Sequence, residues 1–173
     1  MEKYKKIGIA TNKSILELYQ MMRDGSLVLQ PSFQRKLVWN NKHKENFIQT
    51  ILMGLPFPEI YLSDGEIDLE NMKSKTLVVD GQQRMNTIYQ YITNDEELVL
   101  KNTKRFNQLT EEEKQDFLDY PVVVRALGRI SLDKIKEITG DLIMNQICNT
   151  LDVFYTEKQD DALNKAAGLQ PGE

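Results

Sequence analysis

The run Thr76-Leu77-Val78-Val79-Asp80-Gly81 constrains this chain more than any other stretch. An uncharged, β-branched-rich segment is the pattern of a strand buried on both faces. Asp80-Gly81 stops it. Immediately afterwards Met85, Ile88, Tyr89 and Ile92 recur at i, i+3, i+4 and i+7, the spacing of one helix face. The chain must therefore place a central strand that runs straight into a helix, with a glycine at the joint.

The remaining signals supply partners for that unit. Ser14-x-x-Glu17 is a capping box ahead of Ile15, Leu18, Tyr19 and Met22, and Asp24-Gly25 closes the helix. Leu27-Val28-Leu29 reads as a short strand before Pro31. Asn40 or Asn41 caps a helix marked by Phe47, Ile48, Ile51 and Leu52, which Gly54 ends. Pro56 and Pro58 stiffen the connection to a strand at Glu59-Ile60-Tyr61-Leu62. The polar residues 63–75 read as a mobile loop, and Leu98-Val99-Leu100 as a short strand or hairpin arm. A second capping box at Thr110 starts a helix through Leu118, and Pro121-Val122-Val123-Val124 is a further strand. From Ser131 the chain reads as helical to about Tyr155, with a break at Gly140 and a stripe of Ile143, Ile147, Leu151 and Phe154. Residues 159–173 are polar and are expected to be weakly ordered. Helices mixed with a few short strands give an α+β class, a compact domain with a small sheet surrounded by helices. The expected division is a domain over residues 1–130 and a helical extension over 131–173.

The totals exclude several functions. The 173 residues carry a formal charge of −4, which argues against nucleic-acid binding driven mainly by counterion release. A single cysteine, Cys148, has no internal partner and sits in an apolar helical pattern. A single histidine, His43, in a polar helix start leaves no zinc or His-metal nuclease centre. No apolar run reaches membrane-spanning length, and Met-Glu-Lys-Tyr-Lys-Lys has no signal-peptide core, so a cytoplasmic location is expected.

Two segments carry chemistry. At the joint, the first N–H groups of the helix lack intrahelical partners and, with the helix dipole, favour an anion. Gly81 allows close approach, and Gln82, Gln83 and Arg84 add amide and guanidinium donors; helical geometry puts Arg84 on the flank, free to serve a ligand. Asp80 has several roles open to it: a helix cap, a Mg²⁺ ligand, a ribose acceptor or an orienter of water. A purely structural reading, with Asp80 a cap and Arg84 salt-bridged, stands beside these. The second segment, Pro31-Ser32-Phe33-Gln34-Arg35-Lys36-Leu37-Val38-Trp39, offers an amide, a guanidinium and two aromatics. Arg35 suits a phosphate, and Phe33 or Trp39 either a base or a pocket. The structural alternative makes Phe33 and Trp39 core plugs and pairs Arg35 with a carboxylate.

Pro31-x-Phe33-Gln34-Arg35-x-x-Val38-Trp39, then Gly54-Leu55-Pro56-Phe57-Pro58, then Val79-Asp80-Gly81-Gln82-Gln83-Arg84 occur in that order. This arrangement, over roughly residues 10 to 130, resembles the N-terminal domain of GmrSD-type modification-dependent restriction proteins, in the wider ParB/sulfiredoxin-like superfamily. The resemblance implies a ParB-like fold and binding or hydrolysis of a nucleoside triphosphate with Mg²⁺, in defence against phage DNA. Carried over by position, it implies catalytic roles for Asp80, Gln83 and Arg84, with Asp80 on the metal. It implies nucleotide contacts for Gln34, Arg35, Gly81 and Gln82. Full-length relatives continue into a helical region and a His-containing nuclease, a centre not expected here with His43 alone. The expected partners are a nucleotide, DNA through a local patch of Arg35, Lys36, Lys42, Lys44 and Arg84, and an effector domain or subunit. The competing expectations are a non-catalytic binding module for nucleic acid or protein, and a decoy of a full-length relative.

Overall fold

The computed structural model of the chain describes residues 10–29 and 39–129. Gln34 and Arg35, the lysine at position 36, Cys148, the helical extension and the polar tail lie outside the described residues. Five strands form one mixed sheet: β1 (Ala10–Ser14), β2 (Leu27–Leu29), β3 (Ile60–Asp68), β4 (Lys73–Asp80) and β5 (Pro121–Arg129). Their lateral order is β1-β5-β3-β4-β2, with β1 antiparallel to β5, β5 parallel to β3, β3 antiparallel to β4 and β4 parallel to β2. The α-helices among the described residues are α1 (Ile15–Arg23), α2 (Asn41–Leu52), α3 (Gln82–Ile92) and α4 (Glu111–Asp119), with one 3-10 turn at Phe106–Gln108. This is the α+β arrangement that the sequence implies. The helices share one core with Ile60, Leu62, Val78, Val122 and Val124 of the sheet. Val79, Tyr61 and Leu127 form a separate small cluster.

The caps behave as their residue types require. Ser14 accepts from the Glu17 N–H at 3.1 Å while Glu17 accepts from the Ser14 N–H at 2.7 Å, so β1 turns into α1 with both orphan donors satisfied. Asn40 caps α2 through the His43 N–H, and Thr110 caps α4 through the Glu113 N–H.

Two expectations fail. Residues 63–75 are not a loop: β3 and β4 continue as a hairpin, paired out to Asp68 and Lys73. Both faces of this extension are exposed, so its side chains carry no alternating burial pattern for a sequence reading to find. Leu98-Val99-Leu100 is not a strand. Its surroundings satisfy the backbone through side chains instead. The Arg105 guanidinium donates to the carbonyls of Asn94, Asp95 and Leu98, and buried Glu45 accepts the N–H groups of Lys101 and Asn102.

A chain of aromatic contacts ties the connecting segments to the core. Trp39 meets Phe47 edge-on at 5.4 Å, Phe47 meets Phe57 at 5.0 Å, and Phe57 stacks on Tyr120 at 5.4 Å. Phe47 is wholly buried at the centre of this chain. Phe47→Ala is expected to cost about 3–5 kcal/mol of unfolding free energy, the usual cost of an aromatic deletion in a core. Urea unfolding of the two proteins measures it directly.

Candidate functional site

β4 ends at Asp80, and Gly81 turns the chain into α3 with φ of 98°. Only glycine takes that conformation without strain, and a Cβ here would stand 3.0 Å from the Ile60 side chain. Gly81, not Asp80, is therefore the N-cap, and no side chain caps the helix. The N–H groups of Gln82, Gln83 and Arg84 stand in the first turn, where no helical carbonyl can accept them.

Arg84 turns inward rather than lying free on the flank. It is 2% exposed, and its guanidinium donates to the Pro58 carbonyl at 2.6 Å and to Asp80 Oδ2 at 3.2 Å. The reason is geometric: Asp80 and Arg84 are four residues apart across the joint, and the Pro56-Phe57-Pro58 connection passes beside them. Proline supplies no N–H at position 58, but its carbonyl remains an acceptor that the arginine fills. Arg84 thus positions Asp80 and the start of β3 together. Asp80 keeps part of its surface, with 18% of its side chain exposed.

The two glutamines divide. Gln82 is buried, its amide nitrogen donating to the Val78 carbonyl at 3.1 Å, and its Oε1 is a buried acceptor with no hydrogen-bond partner among the described residues. Gln83 is half-buried and accepts from the Trp39 N–H at 3.4 Å. The last residue of the Pro31–Trp39 segment therefore adjoins the β4–α3 joint. Trp39 itself packs against the core, as the structural reading of that motif has it.

Three residues that the sequence does not single out gather at the same end of the sheet. Glu59 accepts from the Tyr61 hydroxyl at 2.7 Å, and Arg125 Nε donates to both Glu59 oxygens at 3.0 Å. Tyr61 lies opposite Asp80 in β4 and opposite Arg125 in β5, so the row spans three strands. The Arg125 hydrogen bond, assisted by the Tyr61 hydroxyl, holds the Glu59 carboxyl below its usual 4.5, and Glu59 in turn raises Arg125. No local spacing signals this group; lateral register brings it together.

Of the expected basic patch, Arg35 and Lys36 lie outside the described residues. Arg84 is buried and Lys44 donates to Gln90 Oε1 at 3.0 Å, leaving Lys42 exposed on α2. Among the described residues no group of three or more His, Cys, Asp or Glu side chains is placed to hold a metal ion. None of the described helices is long and apolar enough to cross a membrane.

Removing the guanidinium takes a hydrogen-bond donor from both Asp80 and the Pro58 carbonyl. Arg84→Ala is expected to lower stability by about 3 kcal/mol or more, in the range for breaking a buried pair, as read by denaturant unfolding. The Glu59 pair has a pH signature. A carboxylate depressed in the folded state stabilises above its ordinary range and loses that contribution as pH falls through its folded value. Glu59→Gln is therefore expected to be less stable than the parent at neutral pH, with the two unfolding curves converging on acidification below 4.5.

MJ0686, an uncharacterised protein of Methanocaldococcus jannaschii, is 26% identical over 158 residues. That match takes in 72% of this chain and 27% of the relative, so the chain spans about a quarter of that protein's length. No solved structure matches the chain. The family model for the GmrSD restriction endonuclease N-terminal domain matches residues 15–166, which include both motifs and the whole β4–α3 joint. The chain belongs to the GmrSD N-terminal domain family, a component of restriction-type systems.

Proposed function

We propose that this domain binds a nucleoside triphosphate at the β4–α3 joint and hydrolyses it, as the nucleotide-responsive part of a phage-defence system. One observation carries the reading. A strand enters a helix through a glycine in a left-handed conformation, which leaves the first-turn N–H groups to meet an anion. The triphosphate would lie against the N–H groups of residues 82–84, with the Gln83 amide beside it. Gln34 and Arg35, outside the described residues, are assigned to the phosphates by family resemblance alone. Gln82 Oε1, unpartnered among the described residues, is an acceptor suited to a donor from water or ligand.

The donor set fits Mg²⁺ in the way that cation is usually held, through one or two carboxylates with phosphates and water as the other ligands. Asp80 is the carboxylate at the joint, and bound Mg²⁺ would supply neutralisation of phosphate charge. The protein's own contribution is positioning. Arg84 keeps Asp80 in place, and fixed N–H groups stabilise charge that develops on the phosphoryl oxygens as water attacks. Direct DNA contact through the joint is not part of this reading, because Arg84 is enclosed. In longer relatives, nucleotide binding would move α3 and signal to the rest of the protein.

Phosphate release from each NTP with Mg²⁺ tests the proposal. Gln83→Ala and Asp80→Asn are expected to cut release by about 10²-fold, the scale for losing one electrostatic contact to the transition state. Gln83→Ala also removes the acceptor of the Trp39 N–H, so it should lose only about 1 kcal/mol of stability and remain folded under the assay conditions. No release from any NTP, together with no thermal shift on adding nucleotide, overturns it.

A further inference from the structure

The β3–β4 hairpin reaches past its neighbours. Pairing of β2 with β4 stops at Thr76, and the recorded pairing of β5 with β3 stops at Asp64 opposite Arg129. Beyond that point a short turn joins Asp68 to Lys73 and carries Leu69 and Met72, which are 78% and 83% exposed, with Ile67 beside them at 49%. Three large apolar side chains exposed within six residues exceed the scattered single exposures that are normal on a protein surface.

The turn is held in shape. Asp68 accepts the N–H groups of Glu70 and Asn71 at 3.0 and 3.1 Å and the Asn71 side-chain amide at 2.8 Å. Met72 sits at φ of 52°, a left-handed conformation that glycine or asparagine adopts more readily. An apolar residue in a strained position at the tip of a clamped turn is preorganised for contact, so little ordering cost remains at binding.

Charge selects the partner. The hairpin carries Asp64, Glu66, Asp68 and Glu70 against Lys73 and Lys75. A nucleic acid or an anionic membrane would be repelled. A second copy of the chain is also a poor fit. The cavity of about 350 Å³ between α2 and α4 is walled by Leu52, Met53 and Phe117 and bordered by Glu113 and Asp116, and its one lysine, Lys104, is already paired with Glu113 at 2.9 Å. We propose that the hairpin tip is a docking knob for a protein partner that offers an apolar cleft rimmed by lysine and arginine. Leu69 and Met72 enter the cleft, and the acidic flanks steer and register the approach. This inference does not depend on nucleotide binding.

The test places a photo-reactive benzoylphenylalanine at Leu69 of the chain in cells of its source organism. The cross-linked protein is identified by mass spectrometry, purified, and titrated against the unmodified chain. The expected partner is a different protein, bound about tenfold more weakly by Leu69→Ser, as for loss of an apolar anchor. Glu70→Lys and added salt also weaken it. Met72→Gly should raise the melting temperature while weakening the complex, an opposition that a merely structural tip would not produce. The same probe at Val99, an exposed apolar residue elsewhere, should not give that adduct. Absence of an adduct, an adduct only with a second copy or with nucleic acid, or full binding by Leu69→Ser overturns the proposal.

Discussion

The Arg84 guanidinium holds three parts of the chain at one point. It sits on α3, bonds the carboxylate at the end of β4, and bonds the carbonyl that precedes β3. A buried charge is tolerated only when paired and hydrogen-bonded. Here the pairing requires the strand end, the helix start and the Pro56-Phe57-Pro58 connection to converge. The joint that forms the candidate site is therefore also the joint that closes the fold, and a single residue serves both.

Around that point the site is layered. Gly81 lets the Ile60 side chain pack closely on the backbone, Gln83 adjoins the backbone of Trp39, and the Glu59–Tyr61–Arg125 group occupies the neighbouring strands. The aromatic chain from Trp39 to Tyr120 braces the same connection from the core side. A nucleotide held at the α3 N-terminus would thus press on elements that are rigidly linked to one another. The far end of β3 and β4 is the opposite case: a projecting hairpin with an apolar tip, suited to contact rather than to enclosing a small ligand.

The central strand, the helix after it, both helical capping boxes and the family motifs were legible because they rest on local spacing. Val78 and Met85 are buried where the pattern puts them, and Ser14 and Thr110 cap as their types require. The hairpin over residues 63–75 was not legible, since an exposed ladder is held by backbone hydrogen bonds that leave no hydrophobic period. Residues 98–100 misled for the converse reason: buried Leu98 looks like a strand residue, but side chains of Glu45 and Arg105 take up the nearby backbone groups.

What the sequence determined by itself is the strand–glycine–helix joint and the identity of the polar groups around it, since each follows from residues within a turn of one another. Which way those groups point was decided by tertiary structure. Arg84 faces inward because Pro58, far away along the chain, presents a carbonyl that no local signal locates. Arg125 and Tyr61 come to the same end of the sheet because strand register, which depends on all the strands together, aligns them with Asp80. Local spacing names the donors and acceptors; packing decides which of them remain for a ligand.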